Sequence, residues 1–121
     1  MFCIYYLQKI LGNKVNRPSL LDGKLVRELK ALAHSEDPYD TISGKTMCTS
    51  DFYEGQGRLD GAFCDFSESD KNDYLSRLQE AGVVNIEMES TAFAALTHHA
   101  GIKAAIVCVA LLDRFKGDQV I

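Results

Sequence analysis

The chain has 121 residues, 46% of them hydrophobic and 25% charged, with a net charge of −4. That is enough for one domain with its own core, and the acidic balance argues against nucleic acid or a membrane surface as a partner. No apolar run is long enough to span a bilayer. The apolar start, Met1 to Leu7, lacks the basic region and cleavage site of a signal peptide. The four cysteines (Cys3, Cys48, Cys64 and Cys108) form no C-x-x-C pair and no zinc spacing. A reduced, cytoplasmic protein with no metal is the expectation.

Residues 1–10 show no clear periodicity and are assigned no element. Arg17-Pro18-Ser19 opens a helix, with Ser19 as cap and Asp22 as its capping-box partner. Leu21, Leu25, Leu29 and Leu32 recur at helical spacing and give it one apolar face. The helix is expected to stop before Asp37-Pro38, because proline restricts the residue before it. Residues 34–44 read as a polar loop, and Lys45 to Phe52 as a strand.

Ser67-Glu68-Ser69-Asp70 starts a second helix and Gly82 ends it. Asp70-Lys71-Asn72-Asp73 reads as its solvated face. Val83 to Met88 is a short strand. Ser90 to Ala100 is an alanine-rich helix stopped by Gly101. Lys103 to Leu112 is nearly all apolar and fits a strand buried on both faces, with Cys108 as a small core residue. The order from residue 45 is therefore β-α-β-α-β, the signature of an α/β layered fold.

In open α/β sheets, ligands bind beyond the carboxyl ends of the strands. Three segments fall there: Phe52 to Arg58, Asn85 to Ser90, and Leu111 to Arg114. Gln56 offers one acceptor and two donors, and Arg58 offers only donors in a rigid fork. Uracil presents two carbonyls flanking an N–H, which this pair can match, and Phe52 can stack on the ring. The same residue types also make an ordinary solvated turn. The stretch from Gly55 to Asp60 misses the dinucleotide fingerprint, because aspartate stands where its last glycine would be.

Strand alternation would point Glu87 and Glu89 one way and Met88 the other. A carboxylate at a helix N-terminus stays ionised and can accept two hydrogen bonds, as vicinal ribose hydroxyls would supply. Met88 could lie under the sugar as a soft apolar floor. Glu89 as a plain helix-start acid and Glu87 as a surface residue is the alternative. His98-His99 lie late in a helix, where cations are favourable, and no spacing supports a metal there. His34, near a helix end, reads the same way.

F-Y-E-G-Q-G-R-L-D-G, then N-I-E-M-E-S-T, then V-C-V-A-L-L-D-R with a following G-D-Q, closely resembles the animal-type uridine phosphorylase family of the nucleoside phosphorylase superfamily. The resemblance runs from about Leu11 to the last residue. Residues 11–121 would form the C-terminal part of a nucleoside phosphorylase domain, within a three-layer α/β/α fold with a mixed central sheet. The implied reaction splits uridine with inorganic phosphate, a co-substrate rather than a cofactor, into uracil and ribose 1-phosphate.

The resemblance implies a role for each matching residue. Gln56 and Arg58, with Gly57 between them, look like the uracil readers, and Phe52 like the stacking aromatic. Glu89 looks like the ribose-hydroxyl acceptor, with Met88 against the sugar and Glu87 supporting that strand end. Leu111 and Leu112 look like apolar walls near the base, and Arg114 like the arginine that orders the pocket mouth. Arg58, Gln56 and Glu89 would carry the catalysis, by taking up charge on the leaving base and fixing the ribose.

The family's phosphate site uses arginines and a glycine-rich turn that the matched segment does not include. The chain is therefore expected to be a fragment. It would lack phosphorolysis alone, expose a sheet edge, and belong to a form that dimerises with itself. The competing expectation is a non-catalytic chain that keeps nucleoside recognition or a dimerisation surface. A purine-nucleoside relative fits the Gln56–Arg58 pair less well.

Overall fold

The computed structural model describes residues 5–120, so the expectations for Cys3 and the first four residues lie outside it. The chain falls into two compact units. One runs up to Ser43 and resumes over Glu89–Val107; the other covers Gly44–Met88 and continues from Cys108.

In the first unit, β1 (Tyr5–Ile10) and β2 (Asn13–Pro18) form an antiparallel hairpin with Gln8 opposite Val15. The turn is Leu11-Gly12, and both residues have positive φ (50° and 82°). Two-residue hairpin turns need that conformation to match the strand twist. Helix α1 is Gly23–Ala31. It starts later and ends sooner than the leucine spacing predicts. Its cap is Asp22, whose Oδ1 accepts from the Leu25 N–H at 2.7 Å. Ser19 serves elsewhere: its hydroxyl donates to the Thr91 carbonyl at 2.8 Å.

No residue of α1 is buried, and Leu32 is 79% exposed. With little apolar surface to cover, nothing drives the helix on towards Pro38. In the first unit α3 (Ser90–His99) packs on β1 and β2 and buries Ser90, Ala94 and Ala95. His98 and His99 occupy its last turn and are exposed.

In the second unit, β3 (Lys45–Cys48) pairs in parallel with β4 (Val83–Glu87), with Met47 opposite Ile86. Strand β3 is shorter than the expected Lys45–Phe52. The Asp51 carboxylate accepts from the Gly55 N–H at 2.7 Å, and the Thr49 hydroxyl donates to the Asp51 carbonyl at 2.8 Å. These local bonds offer the backbone an alternative to the ladder and bend it away. Helix α2 (Glu68–Glu80) starts where the sequence predicts, on a capping box between Ser67 and Asp70, and Gly82 follows it with φ 87°. Leu75 and Leu78 are buried on its inner face, and α2 packs against β4.

The apolar run Lys103–Leu112 is not a strand. No strand among the described residues pairs with it, and Val107, Val109 and Leu111 are 76%, 83% and 74% exposed. A parallel strand buried on both faces needs neighbours on both edges and cover on both faces, and the run has neither. Cys108 is accordingly exposed rather than a core residue, and it is a free thiol like the part-buried Cys48 and Cys64. Among the described residues parallel and antiparallel pairs are both present with three helices, so the chain carries part of an α/β fold. No helix among the described residues is long and apolar enough to cross a membrane.

Candidate nucleobase site

The second unit gathers an unusual set of polar side chains. Gln56, Arg58, Lys71 and Asp118 are each more than nine-tenths buried. Burying charge is costly unless every group is paired, and here the pairing is extensive.

Gln56 and Arg58 are set by a 3-10 turn, Glu54–Gln56. Gly57 follows with φ 64°, and a Cβ there would sit 3.3 Å from the Tyr74 ring. Only glycine holds this left-handed position without strain, so Gly57 lets the residues on either side of it both turn inwards. The Gln56 amide donates to the Thr49 hydroxyl at 3.2 Å.

Arg58 makes a two-pronged pair with Asp60: Nε to Oδ1 at 3.0 Å and Nη2 to Oδ2 at 2.9 Å. Its Nη2 also donates to the Asp118 carbonyl, and its Cζ lies 4.3 Å from the centre of the Phe52 ring. Phe52 therefore stacks on Arg58 through one face, and it meets Tyr53 edge-on at 5.1 Å. Hydrogen bonding to Asp60 raises the Arg58 pKa, and the same bond lowers that of Asp60.

A second 3-10 turn, Arg114–Lys116, is capped by Asp113 and brings Arg114 to the same place. Arg114 Nη2 donates to the Gln56 carbonyl at 2.9 Å, and its Nε donates to Asp118 Oδ1 at 3.0 Å. Its remaining nitrogen, Nη1, is buried and has no hydrogen-bond partner among the described residues. Asp118 also accepts from Lys71 Nζ at 2.9 Å and from the Leu59 N–H at 2.9 Å. Burial pushes the Asp118 carboxyl up. Its bonds to Lys71, Leu59 and Arg114 outweigh that and hold it at about 2.

Among the sequence-predicted residues, Phe52, Gln56, Gly57, Arg58 and Arg114 thus come together in this unit. Glu87 ends β4 and is half-buried; Met88 follows it and is 36% exposed. Leu111 is 74% exposed and Leu112 half-buried. Glu89 belongs to the first unit as the N-cap of α3, and its side chain makes no capping bond. No group of three His, Cys, Asp or Glu among the described residues could hold a metal.

Four members of the cluster escape the sequence reading: Thr49, Asp60, Lys71 and Asp118. Lys71 is a correction, since it is 5% exposed and not on a solvated face. A signal for it exists. Lys71, Leu75 and Leu78 share one helical face, so the lysine points where the leucines point.

A family model described as the Phosphorylase superfamily matches residues 11–119. The chain belongs to the phosphorylase superfamily. It is 52% identical over 113 residues to mouse uridine phosphorylase 1, and 56% identical over 113 residues to human uridine phosphorylase 2. Each match covers 93% of this chain and 36% of the relative. Uridine phosphorylase from Schistosoma mansoni, solved in complex with uracil, superposes with a TM-score of 0.89 at 39% identity. That superposition covers 97% of this chain and 40% of the solved one. The chain thus spans little more than a third of the length of the curated relatives it matches.

Proposed function

We propose that this chain carries the base-reading part of a uridine phosphorylase, an enzyme that splits uridine with inorganic phosphate into uracil and ribose 1-phosphate. The observation that carries the reading is the Gln56–Arg58–Arg114 group, in which the buried Arg114 Nη1 has no hydrogen-bond partner among the described residues. A buried N–H without an acceptor costs roughly 1–3 kcal/mol. A carbonyl oxygen delivered to Arg114 Nη1 would recover that, and uracil has two carbonyls to offer. Gln56 and Arg58 stand on either side of Gly57 to meet the rest of its edge.

In this reading Arg58 and Gln56 take up the negative charge that builds on uracil as the glycosidic bond breaks. The guanidinium is already seated on Phe52 and Asp60, so little reorganisation remains when the charge develops. Leu111 and Leu112 supply apolar walls. Glu89 takes the ribose hydroxyls, with Met88 against the sugar and Glu87 holding the strand end. Phosphate attacks the anomeric carbon from the opposite side of the sugar. No metal or organic cofactor takes part, and the complete enzyme pairs with a second copy of itself. These 121 residues recognise the nucleoside without turning it over. Its five arginines include Arg58 and Arg114 at the base, Arg17 bonded to Gln8, Arg77 beside Tyr74, and Arg27 exposed on α1.

Calorimetry on the purified chain tests this. Uracil and uridine should bind at least tenfold more tightly than inosine, since a misplaced charged hydrogen bond costs about 1.5–3 kcal/mol. Glu89→Gln should weaken uridine and leave uracil alone. Inosine binding as tightly as uridine would defeat the reading.

A further inference from the structure

We infer that Asp118, held by Lys71, is the positioning residue of the base site: a single residue that orients Arg58 and Arg114 together. The inference rests on the base-site reading above and adds a residue to it. Asp118 reaches three separate segments at once. Its Oδ1 accepts from Lys71 Nζ on α2 and from Arg114 Nε, and its Oδ2 accepts from the Leu59 N–H beside Arg58. Its backbone carbonyl accepts from Arg58 Nη2. Both arginines are therefore bonded to one residue, by different atoms.

Arg114 is fixed on two edges, by Asp118 at Nε and by the Gln56 carbonyl at Nη2, and this fixing aims Nη1 away from both. Remove the carboxylate and the guanidinium can rotate. Lys71 explains why the carboxylate stays put. A lysine ammonium is rarely buried without a partner, and its bond here, at 2.9 Å, is made to Asp118. The ionic group holds Arg58, Arg114 and Lys71 against Asp60 and Asp118. Three cations against two carboxylates leave one positive charge, which suits a base that becomes negative.

The test compares the wild-type chain with Asp118→Asn and Lys71→Met. Two readouts are taken: uracil affinity by calorimetry, and the ligand-free Nε–H signals of Arg58 and Arg114 in nitrogen-15 spectra. The signals are assigned with Arg58→Lys and Arg114→Lys. Asp118→Asn should weaken uracil by about 10–100-fold, the range of one lost charge-assisted hydrogen bond. It should shift both arginine signals together, while backbone amides of β1, β2 and α3 keep their wild-type positions. Uracil affinity within threefold of wild type would overturn the inference. So would a shift of the Arg114 signal with that of Arg58 unmoved, because Asp118 would then be only a counter-ion for one arginine. Lys71→Met keeps the buried stem and serves if Asp118→Asn does not fold. It should move both signals, and unmoved signals would overturn the inference. Failure of the wild-type chain to bind uracil would remove the base-site reading, and the paired arginine signals would then decide the positioning role by themselves.

Discussion

One unit buries Ser90, Ala94, Ala95 and Ala104; the other buries Gln56, Arg58, Lys71 and Asp118 beside Leu75 and Leu78. The first is held by small groups in close backbone approach, such as the Asp22 N–H to Ala104 carbonyl bond at 2.9 Å. The second is held by ion pairs whose members each depend on the others. Close-packed small residues tolerate loss and resist gain. A buried ionic group tolerates the loss of no single partner, because the remainder is left charged and dry. The difference is one of kind: the second unit is organised around paired charge, the first around small apolar groups.

The largest effect is expected from Asp118→Ala. It leaves Lys71 and Arg114 without their shared carboxylate and should destabilise the second unit by about 3–5 kcal/mol. Hydrogen exchange locates the effect. The Leu59 amide, which donates to Asp118, should lose protection first, while the amides of β1 and β2 change little. Equal loss in both units would mean that the ionic group supports the whole chain rather than its own neighbourhood.

The converse substitution is Ala95→Leu in the first unit. Ala95 is 0% exposed, so three extra heavy atoms must displace the hairpin beneath α3. Overpacking of this kind costs about 1–3 kcal/mol. The loss should appear as faster exchange in β1, β2 and α3, with the arginine signals of the second unit undisturbed.

Acid separates the units without mutation. The Asp118 carboxyl is held at about 2 against an ordinary 3.8. A lowered folded-state pKa adds stability that is complete above about pH 4 and disappears as pH falls through about 2. The contribution is on the order of 2 kcal/mol. Asp60 and Asp70 are lowered too, by bonds to Arg58 and Ser67 respectively, and act in the same direction. All three lie in the second unit, so a denaturation series from pH 5 to pH 2 should loosen α2 before the hairpin. Hairpin loss at the higher pH would contradict the assignment.

The parts legible in the sequence are those with local causes. Helix α2 is readable because Ser67 and Asp70 form a box within four residues. Helix α3 is readable because alanines run up to Gly101. Gln56 and Arg58 stand out because their donor and acceptor sets are carried by the side chains themselves, whereas Arg114 is picked out only by the family resemblance. The hairpin is not legible, since its turn depends on a leucine in a left-handed conformation, which leucine seldom adopts. The run 103–112 misleads because hydrophobicity reports what a segment could bury, and pairing depends on neighbours that composition does not name. Asp118 stays hidden because a carboxylate's burial is set by cations distant in sequence, here Lys71 on α2; Asp60 is exposed and pairs with Arg58 only two residues away. Lys71 could have been found, from its place on the leucine face of α2.

The smallest effects are expected from the two helix caps. Asp22 caps α1 with one bond to the Leu25 N–H, while Ser67 shares a reciprocal box with Asp70 at the start of α2. Replacing either by alanine should cost about 1 kcal/mol of helix stability. The consequences should still differ. Helix α1 buries no residue, so Asp22→Ala should let it fray, with fast amide exchange across Gly23–Ala31 and little change in the urea midpoint. Helix α2 carries Lys71, Leu75 and Leu78 into the ionic core, so Ser67→Ala should lower the midpoint itself and weaken uracil slightly through Lys71. If Asp22→Ala shifts the midpoint as much as Ser67→Ala, α1 contributes to a cooperative core despite its exposure, and the contrast between the two units fails at its weakest helix.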